Sequence, residues 1–223
     1  MKLWDKNNSA NEKIIEFTVG DDRLNDLYLI KYDLKASISH AKMLYKTNLL
    51  SEIECDRIIN ILNEMLIEAE SGELKIETEF EDMHSKIEYT LISRLGDIGK
   101  KIHTARSRND QVLVSIQLYL VDELNNIKTE VKSLFDLLIN LAKKNEKIIM
   151  PGYTHMKAAM PSSFGLWFSA YAETLIDDIV SLNSTIKIVN QNTLGSAAGY
   201  GTSFNIDRDF TTKDLNFKTL KYN

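Results

Sequence analysis

The sequence is poor in the residues that staple, bend or break a chain. A single cysteine, Cys55, stands among 223 residues, so an intramolecular disulfide is impossible and a disulfide-stapled secreted scaffold is excluded. Cys55 is expected as a small residue inside a helix. Prolines number two and glycines nine. Both prolines, Pro151 and Pro161, bracket one short segment, and most glycines fall in Gly96–Gly99, at Gly152 or in Gly195–Gly201. Between those points nothing interrupts long helices. No stretch approaches the roughly 18 apolar residues of a membrane helix. The N-terminus, Met1-Lys2-Leu3-Trp4-Asp5-Lys6, carries no apolar run of signal-peptide length. These absences give the expectation of a cytoplasmic protein with no membrane partner. A basic excess is lacking too: 27 Lys and Arg against 32 Asp and Glu leave a net charge of −5, which argues against a nucleic-acid partner. What is present is 43% hydrophobic residues on a chain long enough to bury a sizeable core.

The apolar residues repeat at helical steps. Leu24, Leu27, Leu34, Ile38, Ala41 and Leu44 predict a helix over 22–45. Ser51-Glu52-Ile53-Glu54 has the pattern of a capping box, followed by Ile58, Ile59, Leu62, Leu66 and Ala69, with Gly72 as the stop. A shorter helix is predicted over 81–95. The strongest pattern lies over 109–144, where Ile116, Leu120, Leu124, Ile127, Val131, Leu134, Leu138 and Leu141 form one stripe on a helix roughly 50 Å long, at about 1.5 Å per residue. A second long helix is predicted to start at Pro161, a favourable first helical position, with Phe164, Phe168, Tyr171, Leu175, Ile179, Leu182, Ile186 and Val189 along its stripe. Two such helices joined by a compact turn present more apolar face than one copy can cover, so a bundle closed by other subunits is expected.

Chemistry concentrates in the breaks. His103-Thr104-Ala105-Arg106-Ser107-Arg108-Asn109-Asp110-Gln111 sets two cations, a hydroxyl, an amide and a carboxylate at a helix N-terminus. Free backbone N–H groups there favour an anion, and Arg106 and Arg108 add forked carboxylate recognition. The plainer reading is an Asn or Asp cap with solvated arginines. Met150 to Lys157 places Thr154 and His155 in a turn between long helices, where an imidazole can give or take a proton near neutral pH, although a lone histidine is more often structural. Leu194 to Gly201 is rich in small residues and suits a turn or an anion nest, but lacks the preceding strand and the lysine of a Rossmann or P-loop site. Glu81-Asp82-Met83-His84 puts a carboxylate and an imidazole at a helix start, where acidic capping is the plain reading.

Four blocks in this order, Glu81 to His84, His103 to Gln111, Pro151 to His155, and Leu194 to Gly199 followed by Asp207-Arg208, resemble argininosuccinate lyase and its relative delta-crystallin, within the fumarase–aspartase superfamily. The His-Thr-x-Arg-Ser-Arg-Asn-Asp-Gln block is the most specific of them. The resemblance spans nearly all of this chain and about half of a typical family member. It implies an all-α fold: a small N-terminal helical domain, 1–105, followed by the long helices of an incomplete central bundle, 106–223. It implies reversible β-elimination of argininosuccinate to arginine and fumarate in arginine biosynthesis, without metal or organic cofactor, in a homotetramer whose active sites draw on several subunits. Ser107, Arg108 and Asn109 would then hold substrate carboxylates, with Arg106 beside them. Thr154 would contact substrate, and His155 would help protonate the departing guanidino nitrogen. His84 and Asp82 match a block that supplies a further active-site histidine and a carboxylate, and Asp26 matches a substrate-contacting aspartate.

The chemistry agrees with that assignment. Elimination beside a carboxylate needs a base for a weakly acidic C–H, donors for the dianion that develops, and an acid for the leaving nitrogen. The base is the part without a match here, because the family's mobile Gly-Ser-Ser loop has no counterpart in the chain. The expectation is a half-length chain that is inactive by itself, with two alternatives: a non-catalytic helical partner of an intact lyase, or another superfamily lyase of the adenylosuccinate lyase or fumarase type. Smaller departures from the family pattern are Ala105 in place of a usual glycine, Lys157 in place of a frequent glutamine, the reduced Lys2-Leu3-Trp4 block, and the absence of a serine shortly before Asp26.

Overall fold

Helices begin and end where the chain supplies caps. The computed structural model describes residues 17–222, so the Lys2-Leu3-Trp4 block lies outside the described residues. Helix α1, Asp22–Lys46, is followed by α2, Glu52–Ser71, α3, Met83–Leu95, and the short α4, Asp97–Lys100. At α2 the predicted capping box forms: Glu54 N–H donates to Ser51 Oγ and Ser51 N–H donates to Glu54 Oε2. Gly72 closes the helix in the left-handed conformation, φ 76°, where a side chain would be strained. Asp82 caps α3 by accepting from Ser85 N–H at 2.7 Å, which puts the helix start two residues later than predicted. A 3₁₀ turn, Lys101–His103, leads into the 37-residue α5, Arg108–Lys144.

The described chain divides into two compact units. One holds the residues up to Tyr119 together with those from Asn190 onward, and the other is Leu120–Val189. The segment after Val189 returns to pack on the first unit. There Leu194 and Phe217 join Ala36 of α1 and Val114 of α5 in a small apolar cluster. The main core of the first unit joins α1, α2 and α3 through Ile30, Leu34, Leu44, Ile58, Leu62 and Leu91, among others. Leu24 and Leu27 of the predicted α1 stripe are exposed, and the helix is instead buried more fully from Ile30 onward. Cys55 is buried, its Sγ 3.5 Å from the Ala41 carbonyl oxygen. Leu62 is wholly inaccessible. Leu62→Ala is expected to cost about 3 kcal/mol through lost burial and a residual cavity, read as a lower urea midpoint at unchanged slope.

In the second unit the chain departs from the expected helix start at Pro161. Strands β1, Ile149–Thr154, and β2, Lys157–Ser163, form an antiparallel hairpin in which Pro151 faces Pro161. A two-stranded ribbon is all edge, so prolines, which lack an N–H, are tolerated on it. Helix α6 therefore starts at Phe164 and runs to Val189. Gly165 allows its backbone to approach the end of α5: a Cβ there would lie 2.6 Å from Glu146 Cα and 2.8 Å from the Ala142 carbonyl oxygen. Between α5 and α6 lies an open apolar groove of about 490 Å³, lined by Val131, Phe135, Leu175, Ile176 and Ile179 among others. The architecture is all-α apart from this hairpin and a short parallel pairing of β3, Gln191–Asn192, with β4, Thr219–Leu220, next to helix α7, Arg208–Asp214.

Candidate active site

The polar run at the start of α5 divides into groups with different surroundings. Asp110 is fully buried and acts as a staple. It accepts from Ser107 N–H at 2.9 Å through Oδ1, and from Gly195 and Ala197 N–H at 2.8 and 2.9 Å through Oδ2. One carboxylate thus ties the helix start to the small-residue segment predicted as an anion nest. Arg208 secures the same segment from behind, donating through Nε to the Leu194 carbonyl at 2.9 Å and through a terminal nitrogen to the Lys221 carbonyl at 2.6 Å. Ser107 Oγ accepts from Asn109 N–H, and Asn109 Nδ2 reaches the Ala198 carbonyl at 3.4 Å. Around these contacts opens a cleft of about 480 Å³, lined by Arg108, Asn109, Val112 and Leu113 on the helix side and by Ser196 to Gly199 on the loop side.

Arg106 and Arg108, two positions apart, differ sharply. Arg108 is partly exposed, pairing with the Asp82 carboxylate and donating to Ser85 Oγ at 3.1 Å. Arg106 is buried and donates to Ser37 Oγ at 2.8 Å, and its Nε has no partner among the described residues. Burial presses its guanidinium toward the neutral form, and Asp33 and Asp110 counter that. Arg106 is therefore enclosed beside α1, whereas Arg108 borders the cleft. The residue between the 3₁₀ turn and Arg106 carries strain: Ala105 has φ 58°, in the left-handed region. An alanine there is strained, since its Cβ meets the neighbouring carbonyl in that conformation.

Asp26, Asp82 and His84 come together at the start of α3. Asp26 accepts from Met83 N–H at 2.8 Å. Burial raises its pKa, opposed by that hydrogen bond and by the charge of His84. His84 is buried, with Nδ1 3.0 Å from Asp33 Oδ2. Asp33 has no exposure at all and also accepts from Gln111 Nε2 at 3.0 Å through each carboxylate oxygen. Burial alone would push its pKa up, but the His84 charge and hydrogen bond, Arg106 and Gln111 together bring it below the ordinary value. Seven residues beyond Asp33 on α1, His40 places Nε2 2.9 Å from the Thr104 carbonyl and is held neutral, with a pKa lowered to about 3, first by burial and then by the Arg106 charge.

Asp33, Ser37 and His40 were not singled out from the sequence. Their spacing of four and three places them on one face of α1, so a polar stripe at helical period was present within an apolar pattern. Thr154 and His155 belong to the second unit. Both are exposed at the hairpin end, where His155 and Met156 form a two-residue turn with φ 49° and 64°. Such turns usually take Asn-Gly, and a β-carbon at each position costs roughly 1–2 kcal/mol. Among the described residues no group of three or more His, Cys, Asp or Glu is arranged to hold a metal ion, and no helix is long and apolar enough to cross a membrane.

Comparison with known proteins places this geometry in context. A family model described as lyase matches residues 9–222. The argininosuccinate lyase of Phocaeicola vulgatus is 50% identical over 222 residues, covering 100% of this chain and 50% of that protein. That of Bacteroides fragilis is 48% identical over the same length, again with 100% and 50% covered. The chain thus spans about half the length of the curated relatives it matches. Among solved structures, an EDDS lyase in complex with formate superposes with a TM-score of 0.80 at 25% identity, covering 96% of this chain and 42% of that one. A fumarate lyase:delta crystallin from Brucella melitensis bound to cobalt gives 0.73 at 19% identity, with 94% and 48% covered, a likeness of fold.

Proposed function

This chain belongs to the lyase family, and from that premise we propose that it forms part of an argininosuccinate lyase, which cleaves argininosuccinate to arginine and fumarate. The observation that carries the proposal is the 50% identity to an argininosuccinate lyase over the whole chain, and it includes the segment that frames the Arg108–Asn109 cleft. Elimination places growing negative charge on the carboxylate beside the carbon that loses its proton. Ser107, Arg108 and Asn109, at the start of a long helix, are suited to stabilise that charge with directed N–H and O–H donors. Arg108 is held by Asp82 and Ser85, so these two fix its fork for a substrate carboxylate. Arg106, being enclosed, serves the site through its charge beside Asp33 and Asp110 rather than by touching substrate. Asp82 reaches Arg108 from the start of α3, where Asp26 and His84 also stand. Thr154 and His155 supply the substrate contact and the proton for the leaving nitrogen, and the strained turn that carries them fits a functional position.

The group that takes the C–H proton is assigned to no residue of this chain, and we place it on the part of the relatives' length that this chain does not span. The exposed apolar residues of the second unit, Leu134, Leu137, Ile176 and Val180 among them, favour a homotetramer in which further helices cover them. A cytoplasmic setting accords with a small charged substrate and a reduced, buried Cys55.

The test is complementation. The chain is mixed with the separately expressed remaining half of the Phocaeicola vulgatus enzyme, and fumarate release is followed by ultraviolet absorbance. Activity is expected in the mixture and not from either half, and His155→Asn is expected to reduce it on the order of 10²–10³-fold. A mixture that assembles but releases no fumarate would support the reading of a non-catalytic helical partner instead.

A further inference from the structure

We infer that Asp33 is a positioning residue for His84, holding the imidazole as its Nδ1–H tautomer so that Nε2 is the atom available for proton exchange. The use of that atom in elimination rests on the proposed lyase function; the tautomer itself does not.

The argument starts from the carboxylate. Asp33 is wholly buried on α1. An ionised carboxylate only accepts hydrogen bonds. Gln111 Nε2 donates to it from 3.0 Å to both oxygens, and Ser115 Oγ stands 3.5 Å from Oδ1 with its hydrogen given to the Gln111 carbonyl at 2.9 Å. The positive charge of Arg106 stands close enough to favour the ionised form. His84 Nδ1, 3.0 Å from Oδ2, must then be the donor. A neutral imidazole with its proton on Nδ1 carries its lone pair on Nε2. Nε2 makes no hydrogen bond with a described residue, and it is not among the buried polar atoms left without a partner, which are Ser39 Oγ, His40 Nδ1, His103 Nδ1 and Arg106 Nε. The ring lies close enough to Asp26 for its charge to lower the Asp26 pKa. The ring is therefore anchored at one nitrogen, by residues from α1 and α5, and open at the other, where a proton can be taken up or released.

This pairing joins residues 51 positions apart and uses Gln111 as an orienting group. The amide of Gln111 presents its N–H side to Asp33, so it would demand an oxygen at that place in any replacement. Because Gln111 Nε2 is equidistant from both oxygens, Asp33→Asn would leave an acceptor for His84 in one of its two amide orientations, so Asp33→Leu, which removes the acceptor, is the variant that tests the pairing. Without that acceptor the ring is expected to return to the Nε2–H form.

The tautomer is read directly by long-range 1H–15N correlation of the imidazole rings in the uniformly labelled 223-residue chain, above the pH at which the ring titrates. His84→Gln identifies the signal by its loss. A solvated histidine favours the Nε2–H form, so a merely adjacent, non-anchored His84 would show that pattern. The expected result is a protonated Nδ1 and an unprotonated Nε2 in the unmodified chain, inverted in Asp33→Leu. A His84 protonated at Nε2 in the unmodified chain overturns the inference, and so does an Asp33→Leu chain of unchanged helical circular dichroism that keeps the Nδ1–H form. Should Asp33→Leu fail to fold, the spectrum of the unmodified chain still decides. None of these readings depends on catalytic activity, so failure of the lyase proposal and failure of this inference are separable.

Discussion

Replacing Asp110 by alanine is expected to lower the unfolding free energy by about 4 kcal/mol, the largest single-residue loss anticipated in this chain. The carboxylate serves three backbone N–H groups, of Ser107, Gly195 and Ala197. In the alanine variant these donors lose a charged acceptor in a place where little water can replace it. Hydrogen bonds to charged groups contribute about 1.5–3 kcal/mol each, and partial re-solvation of the half-buried Ser107 and Ala197 keeps the total below their full sum. There is an electrostatic part as well, since Arg106 and Arg208 both feel the Asp110 charge, and its removal leaves two partly or wholly buried cations less compensated. Asp110→Asn keeps one acceptor oxygen and is expected to lose about half as much. The measurement is urea unfolding followed by far-ultraviolet circular dichroism, with limited proteolysis of the segment 195–201 as a local report. A variant within about 0.5 kcal/mol of the parent, with that segment still protected, would show that the staple contributes little.

The second large effect is acid sensitivity between neutral pH and pH 4.5, and most of it should disappear with one histidine. His40 has its pKa lowered from 6.5 to about 3 by burial, by Arg106 and by His103. A histidine whose folded value is depressed binds more protons when unfolded, so stability is complete above the unfolded value and falls as pH drops toward the folded one. For His40 alone the loss between pH 7 and pH 4.5 is about 2.5 kcal/mol. His103, also lowered, first by burial, acts in the same sense. The carboxylates held below their ordinary values, such as Glu54 and Asp207, act in that direction only at lower pH, because their unfolded values are 4.5 and 3.8. Asp26, raised by burial, works the opposite way. His40→Gln keeps an amide donor for the Thr104 carbonyl but cannot titrate. Its urea midpoint is expected to fall by much less than that of the parent over this pH range. Parallel curves for the two proteins would remove His40 as the cause.

Much of the local structure was legible in advance. The capping box at Ser51 and Glu54, the stop at Gly72 and the uninterrupted α5 all follow from neighbours within a few residues. The predicted start of the second long helix at Pro161 did not hold, because proline suits both a first helical turn and an edge strand, and only the pairing of Ile149 with Ser163 and Met150 with Ser162 selects between them. Likewise Leu24 and Leu27 satisfy a helical period without being covered.

The chain by itself determined the family, through the ordered run from His103 to Gln111 and its companions, and determined the helices, because caps, breakers and apolar period act over a few residues. Tertiary structure alone decided the electrostatics of the candidate site. It enclosed Arg106 while leaving Arg108 at the cleft, joined Asp33 to His84 and Gln111, and set Ala105 in a left-handed conformation. The physical reason is that a buried polar group is stable only if its hydrogen bonds and charge are met, and the partners that meet them here lie dozens of residues away.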